Sequence, residues 1–296
     1  MSAIHPYAWR NGELIAANAI CLSPFQAGLL TGWGLFSTLR IYQGVPFALE
    51  DHWQRLGLDG ERLRISLDGL EPDMRRGFAA LIEHNRAAEA VARIYLVRNH
   101  GGLLDQPGPR ATDLLMFTRD LRHWGASAKL RLQPHGRHAQ APLAGAKSLS
   151  WAHNLVLVEE ANAAGFDDVL LLNERGEVAE CTAANVFVVR HGVLKTPPLS
   201  SGALPGVSRK ILLDAGPRHG LEIEEATLMP EDLFTADEVL ITSSTREVQP
   251  VAAIDSHSIP LGAFAERVAD LFRRQVAAYL AAHPAASPAQ PGRQGA

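Results

Sequence analysis

One lysine and one glutamate near the middle of the chain have the types and surroundings that covalent catalysis requires. Lys147 follows small residues and precedes an amphipathic run, 155–165, whose length and terminal glycine predict a helix. Glu180 is expected between two buried strands, 168–173 and 184–190. A lysine amine can attack a carbonyl group, and a carboxylate can pair with a cationic nitrogen. Because both side chains are expected at junctions between elements, they can converge on one ligand.

Hydroxyl groups and one arginine have the features of an anion site. A loop that contains Gly206 leads into a predicted helix at 208–215, and Ser208 stands at its start. The unpaired N–H groups and the positive dipole end of such a helix favour an anion, and a phosphate would fit there. A second group of hydroxyl side chains, 242–245, follows a buried strand, and Arg55 lies early in a helical pattern. A guanidinium matches the geometry of a phosphate well.

The elements that must position these side chains divide into two groups, which predicts an α/β chain of two domains. Residues 1–120 are expected to form a smaller α/β domain, 121–129 a linker without periodicity, and 130–283 a larger domain in which helices and strands alternate. The tail at 284–296 is rich in Pro, Ala and Gly and is expected to be disordered. The elements predicted in the first domain are hairpins that turn at Asn11-Gly12 and Gln43-Gly44, a helix that contains 52–56, a helix at 71–85, and strands at 91–97 and 113–118.

Two glycine-rich stretches in this first domain have different meanings. The stretch at 28–34 is not a dinucleotide fingerprint, because the third glycine is absent and an extended segment follows where a helix is needed. The stretch at 98–109 is a long loop rich in glycine and proline. Its length indicates substrate contact, since simple connections are shorter.

Composition excludes several classes of function. The chain has 296 residues, of which 47% are hydrophobic, and a net charge of -4. A chain of this length and hydrophobic content can form a sizeable core. Its negative net charge gives no basic field of the kind that binds nucleic acid, so no nucleic-acid partner is expected. With two cysteines and no apolar run near ~18 residues, neither a disulfide framework nor membrane association is expected. No metal site is predicted, and the cytoplasm is the expected location.

The amine, the carboxylate and the anion site together suit pyridoxal phosphate, which needs a lysine for a Schiff base, an acid beside its pyridine nitrogen and several donors around its phosphate. The order and spacing of motifs over about residues 28–251 also resemble the class IV, fold-type IV aminotransferase family. The motifs are Lys147-Ser-Leu, Glu160-Ala-x-x-x-Gly165, Gly176-Glu-Val-Ala-Glu180-x-x-x-x-Asn185-Val-Phe187, Leu204-Pro-Gly-Val-Ser-Arg209, Ser244-Thr-x-Glu-Val-x-Pro250-Val251, and upstream Gly32-Trp-Gly-Leu-Phe-Ser-Thr-Leu-Arg40 and His52-Trp-Gln-Arg55-Leu56.

The resemblance implies a two-domain enzyme of fold type IV that holds pyridoxal 5′-phosphate between a smaller N-terminal domain and a larger C-terminal domain. It implies that Lys147 is the Schiff-base lysine and carries the catalytic proton, and that Glu180 pairs with the pyridine nitrogen. Thr245 would face the substrate carboxylate, whereas Arg40 and Arg98 could face the substrate or form structural ion pairs. A homodimer is implied as well. The residues implied to hold the phosphate are Arg55, Val207, Ser208 and Ser244.

The expected activity is ping-pong transfer of an amino group between an amino acid or amine and a 2-oxo acid. The family resembled contains branched-chain and D-amino-acid aminotransferases, amine transaminases and aminodeoxychorismate lyases, so elimination of pyruvate from aminodeoxychorismate is the alternative. A non-catalytic metabolite-binding protein is a third interpretation. The segment 148–152 lacks the tyrosine that branched-chain enzymes carry after the lysine, and 36–40 reads Phe-Ser-Thr-Leu-Arg where they favour Phe-Glu-Gly-x-Arg. The spacing of Arg98 and His100 also departs from D-amino-acid enzymes, while 180–185 resembles the lyase.

Overall fold

Two β-sheets organise the computed structural model, which describes residues 3–19, 22–23, 25–100 and 110–284. Most of the loop at 98–109 and nearly all of the tail at 284–296 lie outside these ranges. The expectations of substrate contact for the loop and of disorder for the tail therefore fall outside the described residues. Within the described ranges, no helix combines the length and the apolar character that a membrane span requires.

The first sheet is antiparallel and has six strands in the order β2-β1-β6-β5-β3-β4. As predicted, the chain turns at Asn11 and Gly12, whose φ angles of 49° and 97° suit a tight hairpin. The strands are β1 (Ile4–Arg10), β2 (Glu13–Ala16), β3 (Gly34–Tyr42), β4 (Val45–Pro46), β5 (Ala90–Arg98) and β6 (Thr112–Arg119). The helices of this half are α1 (Ala27–Thr31), α2 (Leu49–Leu63) and α3 (Glu71–Asn85).

The two-residue period of β3 separates the faces of this sheet. Leu35 and Leu39 are fully buried in one core cluster with Leu56 of α2 and Phe78 of α3. Burying each such side chain stabilises the fold by roughly 1.5–3 kcal/mol. The residues in between, such as Phe36, lie on the opposite face, which lines a cavity against the second half of the chain.

The second sheet has nine strands, eight of them in the order β12-β11-β10-β13-β14-β7-β8-β9 with β15 paired to β14. Three neighbouring pairs are parallel, namely β11 with β12, β14 with β7, and β7 with β8. The strands are β7 (Ala128–Gln133), β8 (Asp168–Leu172), β9 (Val178–Cys181), β10 (Asn185–Arg190), β11 (Val193–Thr196), β12 (Glu222–Glu225), β13 (Glu238–Ser243), β14 (Glu247–Ile254) and β15 (His257–Ser258). The helices are α4 (Ala152–Ala163), α5 (Val207–Ala215), α6 (Pro230–Phe234) and α7 (Ala263–Ala282).

Three details of this half differ from the sequence-based expectation. Strands β8 to β11 follow one another with no helix between them, so the expected regular alternation is wrong. Glu180 lies between β8 and β10 as expected, but within a further strand, β9, that was not predicted. Strand β9 is only four residues long and buried throughout, which leaves no visible alternation. The last two residues of the expected linker already belong to β7, since Ala128 and Lys129 pair with β14.

Backbone pairing fixes the segment around Lys147 against the first sheet. The Phe36 N–H donates to Lys147 O at 3.1 Å, and the Leu149 N–H donates to Gly34 O at 2.9 Å. The turn before Lys147 requires Gly145, whose φ is +74° and whose Cβ, if present, would lie 2.9 Å from Ala203 O. Lys147 is therefore held between the two halves of the chain.

Candidate active site

A cavity of about 720 Å³ lies where the two halves meet. Seven of the nine site residues predicted from the sequence line it, whereas Arg40 and Arg98 do not. The seven are Lys147, Glu180, Arg55, Val207, Ser208, Ser244 and Thr245. They come from both halves of the chain, so the cavity exists only in the folded protein.

The amine of Lys147 lies 4.5 Å from the centre of the Phe36 ring, on the β3 face that turns toward the cavity. The main-chain N–H of Lys147 donates to the buried carboxylate of Asp59 at 3.1 Å. Desolvation by the surrounding protein and the nearby charge of Arg55 lower the pKa of Lys147 from 10.5 to about 7, although Glu180 opposes this change. Near neutral pH the amine can therefore act as a nucleophile or as a base.

Three hydrogen bonds from two residues hold the carboxylate of Glu180. Arg137 donates to Glu180 Oε1 from Nε at 3.1 Å and from Nη2 at 2.9 Å, and the Leu204 N–H donates to Oε2 at 3.0 Å. Glu180 is 5% exposed. A carboxylate has about four lone-pair directions, so this arrangement leaves one for a donor inside the cavity. Sequence reasoning missed Arg137, because its partner Glu180 lies far along the chain, in β9, and such a pairing leaves no local pattern.

The start of α5 forms an anion cradle. Gly206 precedes the helix and contributes no side-chain cap, so the N–H groups of Val207 and Ser208 remain available to a ligand. A Cβ on Gly206 would lie 1.9 Å from Asn185 Oδ1. Asn185 in turn donates to Leu204 O at 2.9 Å, which fixes the loop ahead of the helix. Only glycine fits at this position without displacing Asn185.

Arg55 and Ser244 extend this cradle from the side of α2 and from the turn after β13. Arg55 is 7% exposed, and its Nε has no hydrogen-bond partner among the described residues. Burial lowers the pKa of Arg55 to about 10, while Asp59 and Glu180 counteract this effect. The buried hydroxyl of Thr242 also lacks a partner within the described ranges and lines the same cavity. Unsatisfied buried donors of this kind fit an anionic ligand.

A second group of cations lies on the sheet face above Lys147. Arg93 of β5 pairs in register with Thr38 and with Phe117, so it shares their face, and Arg119 follows two residues after Phe117. Burial, with the nearby Arg93 and Arg122, lowers the pKa of Arg119. Arg93, Arg119 and Arg122 all line the cavity. Sequence reasoning identified the strands but missed these residues, because the face that each strand turns to the cavity depends on register. The region can bind carboxylates.

Arg40 and Arg98 have other surroundings. Arg40 pairs with Glu89 at 3.1 Å and with Glu247 at 3.7 Å. Arg98 donates from Nη1 to Arg64 O at 2.8 Å, and its guanidinium lies 4.0 Å from the centre of the Trp33 ring. Of the two roles open for these arginines, this placement supports the structural one.

The residues of the cavity fit the expected cofactor. An amine with a pKa near 7 suits its aldehyde, the remaining lone pair of Glu180 suits its ring nitrogen, and the cradle of Arg55, Ser244 and the α5 start suits its phosphate. Thr245 lines the cavity too, and its main-chain oxygen accepts a hydrogen bond from Trp124 Nε1 at 2.9 Å. No group of three or more His, Cys, Asp or Glu side chains among the described residues could hold a metal ion.

Known proteins resemble this chain over most of its length. The family profile described as Amino-transferase class IV matches residues 34–254. A Methanocaldococcus jannaschii protein assigned as a branched-chain-amino-acid aminotransferase is 30% identical over 84% of this chain and 88% of its own length. The aminodeoxychorismate lyase of Bacillus subtilis is 29% identical over 83% of this chain and 85% of its own. A branched-chain amino acid aminotransferase from T.th., solved with pyridoxamine 5′-phosphate, superimposes with a TM-score of 0.85 at 23% identity, covering 94% of this chain and 97% of that one.

Proposed function

The chain belongs to the class IV aminotransferase family, and from this premise we propose that it transfers an amino group between an amino acid or amine and a 2-oxo acid in two half-reactions. Its cofactor is pyridoxal 5′-phosphate. When bound, this group supplies an aldehyde that reacts with amines and a ring that stabilises negative charge on the substrate carbon. The chain's own residues must bind it, orient it and move protons.

The amine of Lys147 is the observation that carries the proposal. It lies between the two halves of the chain, and its lowered pKa leaves a large neutral fraction near pH 7. In the proposed reaction Lys147 Nζ would hold the cofactor covalently at rest. Once a donor amine has taken its place, the freed Lys147 amine would act as the base that accepts the proton from the substrate Cα and as the acid that returns it.

The remaining predicted residues supply binding and charge. We propose that Glu180 keeps the ring nitrogen protonated and that Arg137 holds Glu180 in place, which the two hydrogen bonds between them support. Arg55, Ser244 and the N–H groups of Val207 and Ser208 would grip the phosphate. The Arg55 Nε without a partner among the described residues and the uncapped start of α5 support this assignment.

The substrate would lie against the cationic sheet face. Arg93, Arg119 and Arg122 line the same cavity as Lys147, and Arg93 is one of the charges that lower the pKa of Lys147. A guanidinium binds a carboxylate in a defined orientation. We propose that these arginines, with Thr245, hold the carboxylates of amino and 2-oxo acids.

The alternative reaction is elimination of pyruvate from aminodeoxychorismate. The similarity to the Bacillus subtilis lyase supports this alternative reaction. Arg93, Arg119 and Arg122, which line the cavity, would suit aminodeoxychorismate too. The two reactions share the lysine and the cofactor, but only transfer needs a 2-oxo acid acceptor.

A single-turnover experiment separates them. Holoenzyme would be mixed with one amino donor at a time, drawn from branched-chain amino acids, D-alanine and simple amines, and the absorption of the bound cofactor followed. Conversion to the pyridoxamine form, reversed by adding a 2-oxo acid, supports transfer. Pyruvate release from aminodeoxychorismate without an acceptor supports the lyase. Lys147→Ala should abolish either reaction, whereas Lys129→Ala, which removes an exposed lysine of β7, should not.

We further propose a cytoplasmic homodimer. Phe25, Leu29 and Leu30 around α1 are about half exposed, as are Leu155 and Val156 of α4. The two regions are neighbours, since the Ser150 hydroxyl just before α4 lies within 3.3 Å of Gly32 O. Exposed apolar side chains grouped in this way favour association. Light scattering on the purified protein tests it, and a monomeric mass at micromolar concentration would reject the dimer.

A further inference from the structure

A buried series of hydrogen bonds joins the two halves of the chain beneath the cavity. Arg55 Nη2 donates to Ser37 Oγ at 2.9 Å, Ser37 Oγ and His52 Nδ1 are 2.8 Å apart, and His52 Nε2 and Ser244 Oγ are 3.3 Å apart. Ser37 is 0% exposed and His52 is 1% exposed. The series starts on α2, passes through β3 and ends on the turn after β13. Neither Ser37 nor His52 has a role in the reaction described above.

Arg55 sets the direction of these bonds, because a guanidinium can only donate. Ser37 Oγ accepts that bond and has one proton of its own to donate. Within the described part of the chain, its other hydrogen-bond neighbour is His52 Nδ1. If Nδ1 donated instead, the fully buried Ser37 proton would have no acceptor among the described residues, so the Ser37 hydroxyl donates to Nδ1. This places the ring proton of a neutral His52 on Nε2.

His52 is neutral under ordinary conditions. Burial, together with the nearby Arg55 and Lys147, lowers its pKa well below the usual value. A neutral imidazole carries a single N–H, so an acceptor Nδ1 requires a donor Nε2. His52 Nε2 then donates to Ser244 Oγ, and the Ser244 proton points away from the ring, toward the cavity.

We propose that His52 is a positioning residue that turns the Ser244 hydroxyl into a hydrogen-bond donor toward the anionic end of the cofactor. With the opposite tautomer Ser244 would donate to His52 and present only lone pairs to the phosphate. Arg55 thus acts on the phosphate directly and also, through Ser37 and His52, on the opposite wall of the cradle. The inference rests on the proposed contact between Ser244 and the phosphate.

The first test is made without the cofactor. Nitrogen-15 NMR of the histidine rings in the cofactor-free full chain reports which ring nitrogen carries the proton, and His52→Gln identifies the His52 signals by their loss. We expect the proton on Nε2 at neutral pH. A proton on Nδ1, or a doubly protonated ring, overturns the inference.

The second test uses two substitutions of His52 whose side-chain amide nitrogen takes the place of one ring nitrogen, Nε2 in His52→Gln and Nδ1 in His52→Asn. The amide of His52→Gln reaches about as far as Nε2 and can still donate to Ser244, whereas that of His52→Asn reaches only Nδ1 and loses Ser244. Pyridoxal 5′-phosphate affinity, measured by titration of the cofactor-free protein, should fall about tenfold or more in His52→Asn and much less in His52→Gln. Affinity for pyridoxal, which lacks the phosphate, should change little in both, and this excludes a folding defect.

Ser244→Ala separates the inference from its premise. If Ser244→Ala leaves pyridoxal 5′-phosphate affinity unchanged, the proposed contact of Ser244 with phosphate is wrong, and the inference is lost with it. If Ser244→Ala weakens affinity but His52→Asn does not, the contact holds and the positioning role of His52 is wrong. In the expected case, adding His52→Asn to Ser244→Ala causes no further loss, because both act through the same hydroxyl.

Discussion

Capture of an aldehyde by Lys147 should have its midpoint near pH 7, far below that of an ordinary lysine. Only the neutral amine attacks a carbonyl group. Burial, and next the charge of Arg55, lower the pKa of Lys147 from 10.5 to about 7. At pH 7 about half of these amines are then neutral, whereas an ordinary lysine is neutral in roughly one molecule in 3,000. The reactive fraction at pH 7 is therefore larger by about a thousandfold.

The assay would use cofactor-free protein and pyridoxal, with the adduct trapped by borohydride and counted by mass spectrometry across about pH 5 to 10. Because pyridoxal lacks the phosphate, the measurement separates the ionisation of Lys147 from the grip of the anion cradle. Arg55→Met should move the midpoint to higher pH, since it removes the strongest charge that lowers this pKa. Lys129→Ala should leave the midpoint unchanged, because Lys129 is exposed on β7.

The same ionisation should affect the free energy of unfolding. Since the pKa of Lys147 is lower in the folded chain than the ordinary 10.5, a protonated amine favours the unfolded chain. This cost is fully present below about pH 7 and disappears as the pH approaches 10.5. Lys147→Met should therefore stabilise the cofactor-free protein at about pH 6 and have less benefit at about pH 10.

In the aldehyde-capture assay, a midpoint above about pH 9 for the unmodified protein would refute the desolvation of the Lys147 amine.

Three further substitutions test the surroundings of Lys147. Gly206→Ala should weaken binding of pyridoxal 5′-phosphate in a cofactor titration, because the new Cβ would lie 1.9 Å from Asn185 Oδ1 and displace the loop before α5. Arg137→Met should lower the free energy of unfolding in urea by about 3 kcal/mol, because it leaves the buried Glu180 without its cation. Arg93→Gln should raise the KM for the 2-oxo acid by about tenfold in steady-state kinetics and change cofactor affinity much less, since Arg93 lies on the substrate side and affects the pKa of Lys147 less than burial and Arg55 do.

Each substitution has a matched control elsewhere in the chain. Gly57→Ala adds a methyl group that meets no atom within 4 Å, so cofactor binding should persist. Arg175→Met breaks an exposed pair with Glu177 and should cost less than about 1 kcal/mol. Arg76→Gln removes an exposed arginine and should leave the KM unchanged. A loss in the control equal to that in its partner would contradict the corresponding argument.

Local signals were sufficient for most elements of the fold. Helix α3 has the predicted bounds, because its second residue is proline, acids fill its first turn and the chain leaves it in a left-handed conformation at Arg86. The hairpin at Asn11-Gly12 was predicted for a similar reason, since few other residues adopt these angles. Strand β9 was missed because four buried residues in a row have no period that a sequence pattern can show.

The sequence by itself determined the chemical types and the order of the candidate site: the lysine before a helix, the carboxylate among strands, and the glycine and serine at the start of α5. These are properties of neighbouring residues. Only the tertiary structure decided that Arg137 pairs with Glu180, that Arg93 turns toward the cavity while Arg40 pairs with Glu89 outside its lining, and that His52 links Arg55 to Ser244. Which partner a charged side chain meets depends on strand register and on packing between segments far apart in the chain, and no local pattern carries that information.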